Sequence, residues 1–146
     1  MAFLVRWVHV TAVSIILGGA LLLFILFLVL GRRHDNRRVL LDLMQAYEWS
    51  FWGAVGLAVM TGVGNLGHFG ASLPERDTEW GRELTLKLGL VGVLLALSTV
   101  RSLSLALVQL RPEARQSIPR SLQGLYGATS VVVAGIIGVA VALAHF

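Results

Sequence analysis

The sequence predicts an all-α integral membrane protein, a four-helix bundle with both termini on the outer side of the membrane. Hydrophobic residues make up 56% of the 146-residue chain and charged residues only 14%, whereas soluble domains average about 25% charged residues. The charges lie in short clusters between long apolar runs, as they do in proteins that cross a membrane several times. No segment alternates polar and apolar residues in the way that a membrane barrel requires, so helices are the expected spanning elements.

The first predicted span covers residues 4–30 and the second covers residues 49–69. The apolar run 10–30 is longer than the roughly 7–15 residues of a signal-peptide core, and arginines follow it instead of a cleavage site. We therefore interpret it as a retained transmembrane helix. The segment VLLDLMQAYE, which precedes the second span, is expected to form a helix along the inner membrane surface, with Tyr47 in an aromatic belt.

The third predicted span covers residues 84–110 and the fourth covers residues 122–146, which gives one four-span domain over residues 1–146. Each span is close to the about 20 residues that a bilayer crossing needs. The connecting segments GRRHDNRR and RPEARQSIPRS are rich in arginine, and the positive-inside rule therefore assigns them to the cytoplasm. Both termini then face outward.

Small residues in the spans predict close packing between helices. Sixteen glycines occur in the chain, and Ala134, Gly138 and Ala142 follow one another at intervals of four in the fourth span. In a bilayer, helices associate through such small-residue faces because their backbones can approach closely. We expect this face to pack inside the bundle; the alternative is that the glycines make room for a flat cofactor between helices.

Several classes of function are excluded by what the sequence lacks. The absence of cysteine excludes disulfides, thiolate metal sites and cysteine nucleophiles. The net charge is only +4 and the arginines flank the spans, so topology explains them and no nucleic-acid partner is expected. The carboxylates are predicted to lie in loops or at span ends, which argues against a buried proton relay, and Arg101 is interpreted as marking the inner end of its helix.

The predicted topology brings one basic side chain from each span to the outer side of the membrane. His9 lies at the start of the first span, Lys87 at the start of the third, and His68 and His145 at the ends of the second and fourth. Imidazole is a common ligand of copper and iron. Three histidines at one side of a bundle therefore predict a metal site, either for copper or for the iron of haem b.

The two cofactors make different further demands. Haem needs cations for its propionates, and the sequence places candidates at the outer side: Arg6, Arg76, Arg82 and Lys87. Copper needs only two or three of the histidines. Met60 is a possible soft ligand, but it lies about 12 Å from His68 along a helix axis, too far for one mononuclear site.

A simpler interpretation of these residues remains open. Histidines at the ends of spans often lie among lipid headgroups and bind nothing. Lys87 can extend its ammonium group to the membrane surface, or it can pair with Glu83 four residues earlier.

Two stretches of the sequence carry short motifs. The opening VRWVHVTAVSIILGGALL resembles the first helix of several small bacterial membrane families, with its W-x-H and GG. Further along, a T-G pair, Thr61 and Gly62, precedes an aromatic-Gly-x-x-L-x-x-K stretch, matched by Trp80, Gly81, Leu84 and Lys87. These motifs resemble those of the copper resistance protein D (CopD) family over roughly the first 105 residues, and the fourth span is similar to that family in character. The resemblance implies copper handling in a bacterial cytoplasmic (inner) membrane, with His9 as the best ligand candidate.

The chain is also similar to HemJ-type protoporphyrinogen oxidases, which share a first-helix histidine and a later lysine, here His9 and Lys87. That similarity implies a haem b protein that transfers electrons or oxidises a porphyrinogen. A third possibility is a structural subunit of a larger membrane complex without a prosthetic group. The expected partners are the lipid bilayer, together with a redox or copper-carrying protein or such a complex.

Overall fold

Four helices account for nearly all of the chain that the computed structural model describes, which is residues 2–30, 37–66, 78–110 and 118–143. Helix α1 spans Ala2–Leu30, α2 spans Arg37–Leu66, α3 spans Glu79–Leu110 and α4 spans Arg120–Leu143. The described residues contain no strand. The predicted all-α fold is therefore confirmed.

Three of these helices are long and apolar enough to cross a membrane, by length and composition. Their qualifying stretches are Phe3–Leu30 in α1, Glu79–Leu110 in α3 and Arg120–Ala142 in α4. Helix α2 is not among them, and its first half carries several charged side chains. The protein is an integral membrane protein, and the sidedness of its ends remains a prediction from the arginine-rich segments.

The helices pack in an antiparallel ring that is nearly open on one side. Helix α1 packs against α2 and α4, and α3 packs against α4, whereas α2 and α3 approach each other closely at few places. We call the line between α2 and α3 the seam. The starts of α1 and α3 and the ends of α2 and α4 share one end of the bundle, which we call the His9 end.

One face of α1 forms much of the core. Ala12, Ile16, Ala20, Leu23 and Phe27 recur at intervals of three or four residues and are all buried. This spacing puts them on one side of a helix. In a bilayer, van der Waals packing of such a face against its neighbours holds the helices together, because the lipid is as apolar as the core.

Helix α2 begins 12 residues before the predicted second span, at Arg37. The segment predicted to lie along the membrane surface is continuous with α2, because Leu40 and Met44 extend its buried face toward the N-terminus.

The prediction that Tyr47 lies in an aromatic belt at the membrane surface is wrong. Its ring is buried in the core, and its hydroxyl donates a hydrogen bond to the Ile16 carbonyl at 2.8 Å.

Two glycines allow helices to approach closely. A Cβ atom at Gly19 would overlap the ring of Tyr47, so α1 and α2 can pack at this distance only without a side chain there. A Cβ atom at Gly127 would lie 3.0 Å from the Phe24 ring, which makes the contact between α4 and α1 similarly tight. Glycine therefore serves packing at specific contacts.

The small-residue face predicted for α4 lies outside the bundle. Ala134 and Gly138 are exposed, and a Cβ atom at Gly138 would meet nothing within 4 Å. The predicted packing role within this chain is wrong for these residues. The inward face of α4 is instead formed by larger side chains, among them Val133 and Ile136.

Candidate functional site

A cavity of about 220 Å³ lies at the seam, toward the His9 end. All four helices contribute to its wall, and the described wall residues are apolar except for His9 and Lys87. Ile16, Leu94 and Val133 form part of its buried inner surface. The fold thus brings together two of the side chains that the sequence predicted at one side of the membrane.

His9 is held in one orientation by two oxygen atoms of α2. Its Nδ1 lies 3.0 Å from the Ala58 carbonyl oxygen and 2.9 Å from Thr61 Oγ1. The Thr61 hydroxyl donates its own proton to the Leu57 carbonyl at 2.6 Å, so both oxygens act as acceptors toward His9. Nδ1 must therefore carry the proton, which leaves the lone pair of the neutral ring on Nε2.

This hydrogen bonding suits a metal ligand. Histidines that bind metals usually donate their other ring N–H to a carbonyl or carboxylate, which fixes the tautomer and the ring plane. The Ala58 carbonyl and Thr61 provide that support to His9. A histidine that only extended into a headgroup layer would need no such fixed geometry.

The other predicted site residues are distributed differently. Lys87 makes no ion pair within the described residues, so the pairing with Glu83 does not form there. Arg6 and Arg82 are exposed and do not line the cavity. Three further candidates lie outside the described residues: His68, His145 and Arg76.

The described residues contain no group of three or more His, Cys, Asp and Glu side chains that could hold a metal ion. Met60 is 73% exposed and does not line the cavity, so it is not placed to share a metal ion with His9. The cavity is also smaller than the roughly 300–1,000 Å³ of sites for drug-sized ligands. This cavity is therefore too small for a haem macrocycle unless the helices separate.

A second polar site, which the sequence did not predict, lies deeper in the bundle. Arg101 of α3 is fully buried, and its Nε donates to Glu48 Oε1 of α2 at 2.7 Å. Its Nη2 donates to the other carboxylate oxygen at 3.2 Å, and its Nη1 donates to Thr129 Oγ1 of α4 at 2.8 Å. A two-point contact of this kind fixes both side chains.

Further donors complete the coordination of Glu48. The Tyr126 hydroxyl donates to Oε1 at 3.0 Å, and the Ser102 hydroxyl donates to Oε2 at 2.6 Å. Trp52 Nε1 in turn donates to Ser102 Oγ at 3.1 Å. Four donors therefore converge on the two oxygens of Glu48, which fixes its side chain among α2, α3 and α4.

Aromatic rings surround the guanidinium of Arg101. Its Cζ lies 4.4 Å from the ring centroid of Phe51, 5.0 Å from that of Tyr126 and 5.2 Å from that of Tyr47. Rings at these distances attract a cation through their electron-rich faces. Because the Tyr47 hydroxyl also binds α1, the cluster connects all four helices.

Two predictions about charges are corrected by this cluster. Glu48 lies within α2 and is 5% exposed, so the carboxylates are not confined to loops and span ends, and Arg101 is a core residue instead of a helix-end marker. Helical periodicity could have indicated that Arg101 is buried, because it continues the buried face of Leu94 and Ser98 on α3. Glu48 similarly follows the buried Met44 by one turn.

A comparison with known protein families matches most of the chain. The family model for copper resistance protein D matches residues 41–143, well over half of the 146-residue chain. The chain belongs to the copper resistance protein D family. No curated protein and no solved structure matches the chain. The CopD match relates this membrane protein to copper and leaves the HemJ-type resemblance a prediction.

The CopD match differs in extent from the resemblance in the sequence. It includes α4 and begins within α2, so the first 40 residues, with His9, lie outside it. Lys87 and the Glu48–Arg101 pair lie inside it. The prediction that His9 is a ligand therefore rests on its geometry in the cavity and not on the matched region.

Proposed function

We propose that this CopD-family protein handles copper at the membrane, and that His9 is one of the residues that bind the ion during uptake or delivery. The observation that carries the proposal is the pair of hydrogen bonds from His9 Nδ1 to the Ala58 carbonyl and Thr61 Oγ1. They leave the lone pair of the imidazole on Nε2, which can donate it to a metal ion, and imidazole nitrogen is a suitable copper ligand.

The remaining ligands are proposed to come from the ends of α2 and α4. The described parts of these helices end at Leu66 and Leu143, at the His9 end of the bundle. His68 and His145 each follow by two residues. Two or three imidazoles would give copper the coordination that a single described histidine cannot provide.

The test is copper retention by the protein purified in detergent and loaded with Cu(I). We expect stoichiometric copper by elemental analysis, and we expect His9→Ala to lose most of it because one imidazole of a two- or three-ligand set is removed. His34→Ala is the matched control, since this histidine belongs to the segment between α1 and α2 and should leave copper retention unchanged.

Two outcomes would contradict the proposal: wild-type protein that retains no copper, and a His9→Ala variant that retains as much copper as wild type. The absorption spectrum of the same sample tests the haem alternative, because a Soret band that disappears in His9→Ala would indicate haem b. Absence of both copper and a Soret band, with co-purifying proteins, would support a structural subunit.

Thr61→Val should weaken copper binding while leaving all proposed ligands in place. It removes one of the two acceptors that orient His9, and loss of a supporting hydrogen bond to a metal ligand typically costs about 10–100-fold in affinity. The Ala58 carbonyl remains, so we expect the lower part of this range, about tenfold. Competition with a chromophoric Cu(I) chelator measures it, and Thr99→Val, which changes an exposed threonine of α3, is the control.

A further inference from the structure

The cavity at the seam is open to the surroundings of the bundle. Val59, Val63 and Leu88 belong to its wall and are 46%, 64% and 56% exposed, respectively. These apolar side chains lie on the outer surface of α2 and α3, where a membrane-spanning bundle faces lipid. An acyl chain can therefore enter the cavity sideways from the bilayer.

Lys87 is the unusual feature of this apolar wall. It is the only lysine in the sequence, it is half-buried, and no described residue pairs with its ammonium group. A charge held against apolar surface without a counter-charge is costly, and such groups in membrane proteins commonly mark a binding function. An anion beside Lys87 would remove this cost.

We propose that an anionic lipid of the bilayer occupies the cavity, with one acyl chain in the seam and its headgroup paired with Lys87. The apolar wall matches the chain, and the ammonium of Lys87, which has no counter-charge among the described residues, matches the headgroup charge. A zwitterionic headgroup carries its own cation and gains less from the same contact. The volume of about 220 Å³ suits part of one chain and not a two-chain lipid.

The proposal goes beyond copper handling and does not depend on it. Lipid binding requires Lys87 and the apolar wall, whereas copper binding requires His9 and the other histidines. Copper retention measured in membranes of phosphatidylcholine alone therefore tests the proposed function separately. A negative result for copper binding would not contradict lipid binding, and a negative result for lipid binding would not contradict copper binding.

The single lysine makes the test direct. Reductive methylation with ¹³C-formaldehyde keeps the positive charge and labels Lys87 and the N-terminal amine, so that NMR follows one side-chain signal. In nanodiscs of phosphatidylcholine, we expect added phosphatidylglycerol to shift this signal to saturation. More phosphatidylcholine, or inorganic phosphate, should not shift it.

Two matched variants separate the cavity from general attraction to a charged surface. Val91→Phe fills the cavity without changing Lys87, and the saturable shift should be lost. Val93→Phe places the same ring on the exposed side of the same helix and should keep the shift. Val59→Phe, at the exposed edge of the cavity, replaces Val91→Phe if that variant does not fold.

The proposal would be overturned by a shift that rises without saturating, by an equal response to phosphatidylcholine, or by a saturable shift that persists in the folded cavity-filling variant. A response to inorganic phosphate alone would indicate an anion site without lipid, which also contradicts it.

Discussion

Glu48→Ala is expected to destabilise the folded bundle by about 3–5 kcal/mol, because it leaves the Arg101 guanidinium buried without a counter-charge. Arg101 is fully buried and has two of its three donor nitrogens on the Glu48 carboxylate. The aromatic rings around it reduce the cost of burial but carry no negative charge. Unfolding of the detergent-solubilised protein by sodium dodecyl sulfate, followed by tryptophan fluorescence, measures the change.

The matched control is Asp42→Ala, which removes an exposed carboxylate from the same helix and should change stability by less than about 0.5 kcal/mol. A double variant, Glu48→Met with Arg101→Met, removes both charges. It should recover most of the lost stability, because well-packed apolar residues often replace a buried ion pair without net cost. A Glu48→Ala variant as stable as the Asp42 control would show that the pair does not hold the helices together.

Gly19→Leu is expected to destabilise the bundle by about 1–3 kcal/mol through overpacking between α1 and α2. Even a Cβ atom at this position would overlap the Tyr47 ring. That ring cannot easily move aside, because its hydroxyl binds the Ile16 carbonyl and its face lies near Tyr126, at 5.8 Å between centroids. The same unfolding assay reports the loss.

The neighbouring residue provides the control. A Cβ atom at Gly18 would meet nothing within 4 Å, and leucine favours helix over glycine by about 0.5–1 kcal/mol. Gly18→Leu should therefore leave stability unchanged or raise it slightly. Equal losses for the two variants would mean that helix flexibility, and not the contact with Tyr47, determines the role of Gly19.

The all-helical fold was predictable because hydropathy and arginine clusters report directly on spans. The start of α2 was not, since the residues before Trp49 mix charges with apolar side chains and resemble a surface helix. Only the packing of Leu40 and Met44 against the other helices shows that this segment belongs to the bundle. Whether a helix of mixed polarity is buried depends on its tertiary contacts, and these cannot be predicted from its local composition.

The two polar sites also differ in how far the sequence predicts them. Antiparallel topology alone brings His9 and Lys87 to one end, so the sequence predicted their proximity. Glu48 and Arg101 are separated by 53 residues, and each one alone would be too costly to bury in a core. Their pairing depends on helix rotation and register, which the sequence pattern constrains only weakly.

Helices α2 and α3 are joined by hydrogen bonds at the level of Glu48 and approach each other closely at few other places. Hydrogen bonds from Arg101 and Ser102 to Glu48 join the two helices at one level, whereas Lys87 lies 14 residues away on α3, or about 21 Å along its axis. With that lever arm, a tilt of about 5° around the ion pair would widen the cavity by about 2 Å. The ion pair would then serve as the pivot of this tilt, and the width of the cavity would depend on the angle between α2 and α3.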